Sequence, residues 1–380
     1  MDDLKSVVHL TTVHPSFDIR IFHKECKTLS QAGYRVVLIA PHDRDEETDG
    51  IRIRRLANPK SRLDRMTRML WQTYKRAIEE DAQVYHFHDP ELIPVGLMLK
   101  LHGKRVIYDV HEDYSQTFLS REWIFPRLRR LIRIMIILAE LVGRRLFDGI
   151  VVATPSIAVR FQSLKTVTIQ NFPLLDGSGI NPSIPYDRRE KVVVYVGVIS
   201  EPRGVKEMIQ AVALLPTQLG VKLKLAGFFA PSNLEDKVKT FSGWSRVDFM
   251  GWQFHKDIVA MLGNARIGLA VLHPFANHIN SQPNKLFEYM SAGIPVVASD
   301  FPLWRQIVEE TGCGLLVNPL DARAISKAIK WLLEHPEEAG AMGRRGQEAV
   351  RNRYNWDREA DNLLAFYQKI TKWDPKPSVA

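Results

Sequence analysis

The sequence predicts an α/β protein with two doubly wound, Rossmann-like domains. Short, β-branched and almost continuously apolar segments alternate with segments of helical spacing, and one proline-rich stretch interrupts this alternation. Buried parallel strands have such a pattern because helices cover both faces of their sheet. The chain of 380 residues also exceeds what one typical core accommodates. We expect the two domains to face a central cleft at the carboxyl ends of their strands, where such folds bind ligands.

The first domain is predicted over residues 1–172. Between its strands lie segments with helical spacing, such as residues 21–33, where Gly33 is a natural C-cap. Its apolar strand segments are residues 7–13, 35–41, 83–89, 105–111 and 149–155.

A linker is predicted over residues 173–190, which contain three prolines and two glycines without periodicity. A second alternating series follows and predicts a second α/β domain over residues 191–355. Its strand segments are residues 191–199, 221–228, 247–252, 266–272, 295–299 and 314–319.

Cysteine content and the apolar segments indicate a cytoplasmic protein. Cys26 and Cys313 are far apart and no CxxC occurs, which excludes a disulfide framework and a zinc ribbon. The first residues, "MDDLKSVVHLTTVHP", lack the pattern of a signal peptide, and no apolar run has transmembrane length.

The net charge of +9 is concentrated in residues 51–78 and 121–147. The second segment combines arginine with leucine, isoleucine and methionine, as helices on an anionic membrane surface do. We therefore consider a peripheral position on the inner face of the plasma membrane. A half-buried core helix with a solvated basic face is the alternative. Nucleic-acid binding is not expected, because neither segment has a helix-turn-helix, finger or RNP context.

Residues 280–300, "NSQPNKLFEYMSAGIPVVASD", predict a short helix that leads into a core strand. The free N–H groups of its first turn would face an anion, and Lys285 adds a full charge. Glu288 shares a helix face with Asn284 and Lys285, so it could accept hydrogen bonds from sugar hydroxyls one turn behind a phosphate. Alternatively, Glu288 only complements the helix dipole and pairs with Lys285.

A second helix start of this kind occurs within residues 195–212, "YVGVISEPRGVKEMIQAV". Gly204 would let the backbone approach a ligand, and Arg203 could donate two hydrogen bonds to phosphate oxygens. Two such helix starts in one domain indicate a diphosphate site.

Several motifs together resemble a known family. "VVVYVGVIS", "EPRGVKEMIQAV", "LKLAGF", "VDFMGW" and "PNKLFEYMSAGIPVVASD", in this order, resemble the carboxy-terminal domain of the family 4 retaining glycosyltransferases of the GT-B fold. "HPSFDIRIFHKECKTLSQAGYRVVLIA", "VYHFHDPELIPVGLMLK" and "VIYDVHEDYSQ" resemble the amino-terminal domain of the branch that builds bacterial surface polysaccharides. The resemblance extends from about residue 7 to about residue 370, and it implies that residues 356–380 contain a helix that crosses back to the first domain.

The resemblance implies transfer of a sugar, with retention of configuration, from a nucleotide-diphosphate sugar to a hydroxyl of a saccharide or lipid-linked acceptor. Cell-surface polysaccharide synthesis is the expected context. The family needs no cofactor and no metal for this chemistry, so helix N-termini, Arg203 and Lys285 would stabilise the charge of the leaving diphosphate.

The resemblance also assigns roles to residues of this sequence. His111 would lie beside the transferred sugar, and Glu288 would bind the nucleotide ribose. Two positions depart from the family: Asn280 replaces a glutamate that contacts the donor sugar, and Val198 replaces an arginine. Five further residues are expected to contact the diphosphate of the donor: Arg203, Gly204, Asn284, Lys285 and Leu286. Trp252 is expected near the base, and Asp18 and Arg20 are expected near the donor phosphates.

Two other functions remain open from the sequence. A nucleotide-sugar epimerase has the same fold and needs no acceptor. A metal-dependent hydrolase could begin with His86 and His88, which alternate on one face of a strand next to Asp89, with further ligands from residues 111–113.

Overall fold

The computed structural model describes residues 5–114, 125–175 and 184–371. Contacts divide the chain into two compact units. The first comprises Met1–Asn171 and Trp356–Ala380, and the second comprises Phe172–Asn355. Each is an α/β unit with a parallel sheet, so the predicted fold class of two Rossmann-like domains is confirmed.

The first unit has an eight-stranded sheet in the order β3-β4-β2-β1-β5-β6-β7-β8, parallel except for β3 against β4. Its strands are β1 (Ser6–Leu10), β2 (Arg35–Pro41), β3 (Glu46–Thr48), β4 (Ile51–Leu56), β5 (Val84–Phe87), β6 (Arg105–Val110), β7 (Gly149–Val152) and β8 (Thr166–Thr168). Its helices are α1 (Ile19–Cys26, continued by Lys27–Gln31), α2 (Arg62–Asp64, Arg65–Met69 and Leu70–Glu79 in succession), α3 (Ile93–Leu101), α4 (Pro126–Leu146), α5 (Pro155–Ala158) and, from the end of the chain, α14 (Trp356–Thr371), with 3₁₀ turns at Pro90–Leu92 and Val159–Phe161.

The second unit has a six-stranded, all-parallel sheet in the order β11-β10-β9-β12-β13-β14. Its strands are β9 (Val192–Val196), β10 (Lys222–Ala226), β11 (Val247–Gly251), β12 (Ile267–Ala270), β13 (Val296–Ser299) and β14 (Gly314–Val317). Its helices are α6 (Val205–Ala213), α7 (Leu234–Lys239), α8 (His255–Asn264), α9 (Ala276–Ile279), α10 (Asn284–Ser291), α11 (Pro302–Thr311), α12 (Ala322–Glu334) and α13 (Pro336–Asn352), with 3₁₀ turns at Tyr186–Arg188, Glu201–Arg203, Thr217–Leu219 and Ser242–Arg246.

The last helix, α14, packs on the first unit. The Trp356 indole N–H donates to the Thr28 hydroxyl over 2.9 Å, and the Tyr367 hydroxyl lies 2.7 Å from Nδ1 of His86. Gly149 on β7 leaves space for Phe366, whose ring carbon would lie 2.4 Å from a Cβ at that position. Of the residues assigned from sequence to this crossing segment, 372–380 lie outside the described part of the chain.

Two local features differ from the sequence expectations. Strand β1 ends at Leu10 rather than near residue 13, because Asp89 accepts hydrogen bonds from the Thr11 hydroxyl (2.9 Å) and the Val13 N–H (3.2 Å), which turns the chain. Residues 184–190 of the expected linker pack on the second unit through the Tyr186 hydroxyl, which donates to the Arg266 carbonyl over 2.9 Å. The middle of that linker, residues 176–183, lies outside the described residues.

Among the described helices, none combines the length and apolar content needed to cross a bilayer.

Close packing of α13 against the turn after α10 predicts a glycine requirement. A Cβ at Gly343 would lie 2.2 Å from the carbonyl oxygen of Gly293, whereas a Cβ at Gly340, on the same helix, would meet only ordinary contacts at 3.4 Å. Because backbone cannot yield as a side-chain tip does, Gly343→Ala should destabilise the protein by about 1–3 kcal/mol. Gly340→Ala should be neutral or stabilise it by about 1 kcal/mol through helix propensity. Urea-unfolding midpoints measure both variants, and equal midpoints would contradict this account of the packing.

Candidate functional site

In the second unit, the turn between β9 and α6 is shaped by two glycines. Gly197 has φ +120° and Gly204 has φ +77°, a region that side chains other than glycine rarely adopt. A Cβ at Gly204 would lie 2.1 Å from the carbonyl oxygen of Val271, so the turn and the end of β12 approach each other directly. The His273 N–H donates to the Pro202 carbonyl over 2.8 Å and links the same two segments. The turn therefore holds Arg203 in a defined place.

Two cationic side chains converge beside Gly197. A Cβ at this glycine would lie 3.8 Å from Nζ of Lys285 and 3.9 Å from Nη1 of Arg203. Lys285 is 8% exposed, and its Nζ lies 4.6 Å from the centre of the Tyr195 ring and 3.5 Å from the Tyr195 hydroxyl. Burial, followed by the charge of Arg203, lowers the pKa of Lys285 to about 7. Two cations held this close, one of them buried, form a site suited to an anion.

Helix α10 brings the other predicted residues of the second unit to this region. It begins at Asn284 without a side-chain cap, and the carbonyl of its cap residue, Pro283, accepts from the Leu286 N–H over 3.0 Å. Lys285 and Leu286 are buried on its inner side, and Glu288 is half-buried one turn further. Glu288 raises the pKa of Lys285, but this effect is smaller than the opposing effects of burial and of Arg203. Lys285 thus lies against Tyr195 rather than serving as a simple helix-surface partner of Glu288.

The remaining predicted residues of this unit are more exposed. Asn280 follows α9 on the surface. Trp252 is 63% exposed and packs edge-on against Phe254, with ring centres 4.6 Å apart, so one ring face is open to stacking.

His278 belongs to the same region, although the sequence reasoning missed it. Burial lowers its pKa, and the charges of Arg203 and Lys285 lower it further, which places this imidazole within the field of both cations. Its Nδ1 lies 3.0 Å from the carbonyl oxygen of His273. Its position in the sequence, two residues before Asn280, could have indicated that His278 lies in this region.

In the first unit, polar side chains line one face of the sheet. His9 on β1 is paired in register with His86 on β5. Because side chains alternate along a strand, Asp109 on β6 lies on this same face, and His88 and His111 continue it beyond β5 and β6. All except His111, which has 11% of its side chain exposed, are fully or almost fully buried.

Arg20 is engaged inside this unit. Its Nε and Nη2 donate to the two carboxylate oxygens of Asp109 over 3.1 and 3.0 Å, and its Nη1 donates to the Ile169 carbonyl over 2.9 Å. The guanidinium is 4% exposed and is committed to this carboxylate. Arg20 therefore does not present its charge to a phosphate, as the resemblance suggested, because Asp109 and Ile169 already occupy it.

Asp18 serves as the N-cap of α1. Its carboxylate accepts hydrogen bonds from the N–H groups of Arg20 (2.8 Å) and Ile21 (3.0 Å). Although burial opposes ionisation, His14 and the Ile21 N–H hold the pKa of Asp18 well below its usual range. An ionised carboxylate here would repel a phosphate, so the structure gives Asp18 a capping role.

His14 is a second residue that the sequence reasoning missed. Its ring centre lies 5.0 Å from that of His111, and its two nitrogens lie 3.6 Å from carboxylate oxygens of Asp18 and Asp89. Burial opposes protonation, but these carboxylates raise the pKa of His14. A signal was available in its place just beyond β1, at the carboxyl edge of the sheet.

The histidines proposed for a metal lie in a buried cluster. Possible ligand atoms of Glu25, His86, His88 and Asp109 lie within 4.8 Å of one another. However, Nδ1 of His86 is bound to the Tyr367 hydroxyl, and Arg20 contacts both carboxylates, its Nε lying 3.0 Å from Glu25. A divalent ion would add its charge beside this guanidinium, so the cluster fits a hydrogen-bonded ion pair better than a metal centre.

Residues expected to complete a metal site are also engaged elsewhere. Asp89 binds the backbone after β1, and Asp113 forms an ion pair with Arg160. Glu25 contributes little negative charge, because burial and the neighbouring Asp109 raise its pKa well above the usual value.

The buried Lys285 amine predicts a stability cost. An unfolded lysine titrates near pH 10.4, so between about pH 7 and pH 10 the unfolded chain binds one proton more than the folded protein. The cost is therefore largest at and below neutral pH and shrinks as pH rises. Lys285→Met should raise the free energy of unfolding at pH 7 by about 1 kcal/mol or more, with a smaller gain at pH 10. Urea unfolding at both pH values tests this, with Lys206→Met, at an exposed position, as the control. A loss of stability at pH 7 would contradict it.

Family models match both units. The model described as Glycosyltransferase Family 4 matches residues 20–170, and the one described as Glycosyl transferases group 1 matches residues 180–349.

Relatives of known name have modest identity. A phosphatidyl-myo-inositol mannosyltransferase of Mycobacterium leprae (strain TN) is 26% identical over 315 residues, which are 80% of this chain and 78% of that protein. The lipopolysaccharide core biosynthesis glycosyltransferase LpsE of Rhizobium meliloti (strain 1021) is 29% identical over 233 residues, 57% of this chain and 63% of that protein. An MMP alpha-(1->4)-mannosyltransferase of Mycolicibacterium hassiacum is 25% identical over 183 residues, 48% and 43% of the two chains. The chain thus spans less than two thirds of the length of these last two relatives.

Solved structures share the fold over nearly the whole chain. Sucrose-phosphate synthase from Thermosynechococcus elongatus superposes with a TM-score of 0.76 at 19% identity, covering 97% of this chain and 99% of that one. Anabaena Alr3699/HepE, solved in complex with UDP, superposes with a TM-score of 0.71 at 16% identity, covering 96% and 100%. The two family models, which together match most of the chain, show that it belongs to glycosyltransferase family 4, and the likeness to these structures shows that it has the GT-B fold.

Proposed function

We propose that the protein transfers a sugar from a nucleotide-diphosphate sugar to a hydroxyl of a saccharide or lipid-linked acceptor, with retention of configuration and without a metal ion. The observation that carries this proposal is the pair of cations, Arg203 and Lys285, converging beside Gly197. Both belong to the part of the chain that the second family model matches.

A diphosphate explains why a lysine is buried at this position. Lys285 has its pKa lowered to about 7 chiefly by burial, which means that its ammonium form is destabilised in the free protein. A bound diphosphate would compensate this cost and would also receive hydrogen bonds from Arg203. The same two groups would stabilise the charge that builds up on the diphosphate as it leaves the sugar.

The neighbouring residues fit the rest of a nucleotide. Glu288, one turn behind Lys285, would accept hydrogen bonds from ribose hydroxyls. Trp252, with its exposed ring, would stack on the base. Asn280 stands where a glutamate would contact the donor sugar, and its amide can both donate and accept hydrogen bonds.

The proposed acceptor class is supported by relatives and by α4. Two of the relatives are named for phosphatidyl-myo-inositol and lipopolysaccharide core. Helix α4 exposes apolar side chains at a three- and four-residue repeat, along with arginines on the same helix. The exposed members are Leu128, Leu131, Ile134, Met135, Ile137, Leu138, Leu141, Val142 and Leu146 among the apolar residues, and Arg127, Arg130 and Arg145 among the basic ones.

This surface of α4 fits an anionic membrane. Apolar side chains would enter the boundary of the acyl chains, and arginines would bind lipid phosphates. Helix α4 packs beside α3, and α3 packs beside α2, which is the helical part of the first basic segment, whereas residues 51–56 of that segment form β4. We therefore infer a cytoplasmic protein that binds the inner face of the plasma membrane peripherally. Residues 121–124 of the predicted basic segment lie outside the described residues.

Donor binding is the first test. Thermal shift against UDP-, GDP-, ADP- and dTDP-sugars should find one nucleotide that stabilises the protein, and EDTA should not abolish the effect. Arg203→Ala should weaken binding of both this donor and free pyrophosphate by roughly 10-fold to 100-fold. Glu288→Gln should weaken the donor but leave pyrophosphate unchanged, because ribose is absent from the smaller probe. The exposed Lys206→Met variant is the matched control.

If no nucleotide sugar stabilises the protein, the proposed function is refuted. With the donor known, ¹H NMR of the product's anomeric proton reports retention or inversion, and consumption of donor without acceptor, giving a ring epimer, would identify an epimerase.

Membrane binding is tested by vesicle flotation. The wild type should float with phosphatidylglycerol vesicles and much less with phosphatidylcholine vesicles. Reversing the charges of Arg127, Arg130 and Arg145 to glutamate should abolish flotation, since each basic residue near the surface contributes about 1 kcal/mol. The same reversal at Arg323, Lys327 and Arg351, exposed in the second unit, is the control and should have no effect. Unchanged flotation of the α4 variant would remove α4 from the membrane proposal.

A further inference from the structure

Three polar atoms form a tight triangle at the carboxyl ends of β5 and β6. Nε2 of His111 lies 2.9 Å from Oδ2 of Asp109, Nδ1 of His88 lies 3.2 Å from the same oxygen, and the two nitrogens are 3.1 Å apart. Each distance permits a hydrogen bond. Which of them exist depends on the positions of the ring protons, and these depend on the charge of Asp109.

Asp109 is ionised in the folded protein. Burial opposes this, but Arg20 and then His111 hold the pKa of Asp109 well below its usual value. The guanidinium contacts both carboxylate oxygens in a fork, the geometry that favours an ionised carboxylate. Such a carboxylate can only accept hydrogen bonds. A bare nitrogen at either position would place its lone pair against this carboxylate, so the geometry favours protons on Nε2 of His111 and Nδ1 of His88, both donating to Oδ2.

The same proton placement continues to His9. With its proton on Nδ1, a neutral His88 has a lone pair on Nε2, which lies 2.9 Å from Nδ1 of His9. His9 must then donate from Nδ1, which leaves a bare lone pair on its Nε2. Among the described residues this buried atom has no hydrogen-bond partner, so no acceptor there favours a proton on it. Burial lowers the pKa of His9 and of His88, so both rings are neutral.

We propose that Asp109, fixed by Arg20, is a positioning residue that holds His111 in the tautomer with its proton on Nε2 and its lone pair on Nδ1. Nδ1 of His111 would then face the ligand as a hydrogen-bond acceptor, which suits a hydroxyl of the bound sugar. Asp109 would stabilise positive charge on the His111 ring. This inference deepens the proposed function. Only the role of His111 toward the sugar depends on that function. The tautomer itself depends on the first unit alone.

The tautomer can be read directly in the wild-type protein. With ring-¹⁵N-labelled histidine, long-range ¹H–¹⁵N correlation distinguishes a protonated from a bare ring nitrogen, and the His111→Gln variant assigns the signal. We expect Nε2 to be protonated and Nδ1 bare. The opposite tautomer in the wild type would overturn the inference without any further variant.

The Asp109→Asn variant tests the cause. Arg20 would keep the amide oxygen, so the amide NH₂ would face the imidazoles and donate to them. We expect the His111 proton to move to Nδ1, kcat to fall roughly 10-fold to 100-fold and KM for the donor to stay nearly constant, because the change acts on orientation and charge in the reaction. An unchanged tautomer would contradict the role of Asp109, even if kcat fell.

A matched control is Asp148→Asn, at the opposite end of the same sheet. Asp148 is also a carboxylate in an ion pair, 2.7 Å from Nζ of Lys100, and has no contact with the histidines. The ¹H–¹⁵N spectrum of the histidines and the kcat of the Asp148→Asn variant should equal those of the wild type. Failure of all nucleotides to bind, with the predicted tautomer present, would refute the proposed function alone. Donor binding with the wrong tautomer would refute this inference alone.

Discussion

The ion pair between Arg20 and Asp109 is the interaction on which the polar interior of the first unit depends. Three imidazoles and two carboxylates are buried on one sheet face, where unpaired charge would be prohibitively costly. One guanidinium neutralises Asp109, and burial together with Asp109 raises the pKa of Glu25 well above its usual value. His88 and His9 continue from Asp109 in a hydrogen-bonded chain, and His86 contacts the Tyr367 hydroxyl instead. Because the carboxylate can only accept, its charge determines the direction of every hydrogen bond in that chain.

The second unit buries positive charge that no neighbouring carboxylate among the described residues neutralises fully. Lys285 is buried next to Arg203, and neighbouring aromatic and hydroxyl groups of Tyr195 only partly replace water. The free protein therefore keeps a site with excess positive charge, at a cost in stability. In a transferase this cost has a function, since a site already arranged for negative charge needs little reorganisation when a diphosphate binds and leaves.

Much of this could be predicted from the sequence. Continuous β-branched segments gave the strands, because strands buried on both faces have no polar alternation, and the glycines at 197 and 204 marked the turn where backbone comes close to other backbone. The basic, leucine-rich segment around residue 130 became a helix with an exposed apolar face. The short β3–β4 pair was missed, because Arg52, Arg54 and Arg55 made β4, the strand next to the sheet edge, look like a charged surface segment.

The sequence by itself determined the fold class and the location of two helix starts, since these depend on local periodicity, glycine and charge, and its motifs carried the resemblance to the family. Tertiary structure alone decided what the charged side chains do. Arg20, adjacent to Asp18 in a predicted ligand loop, instead binds Asp109, which is 89 residues away in sequence. His86 and His88 likewise have partners that come from distant segments, the Tyr367 hydroxyl for His86 and the Asp109 carboxylate for His88. The physical reason is that the role of a buried charge depends on which opposite charge lies within a few ångströms, and that proximity arises only when the strands assemble into a sheet.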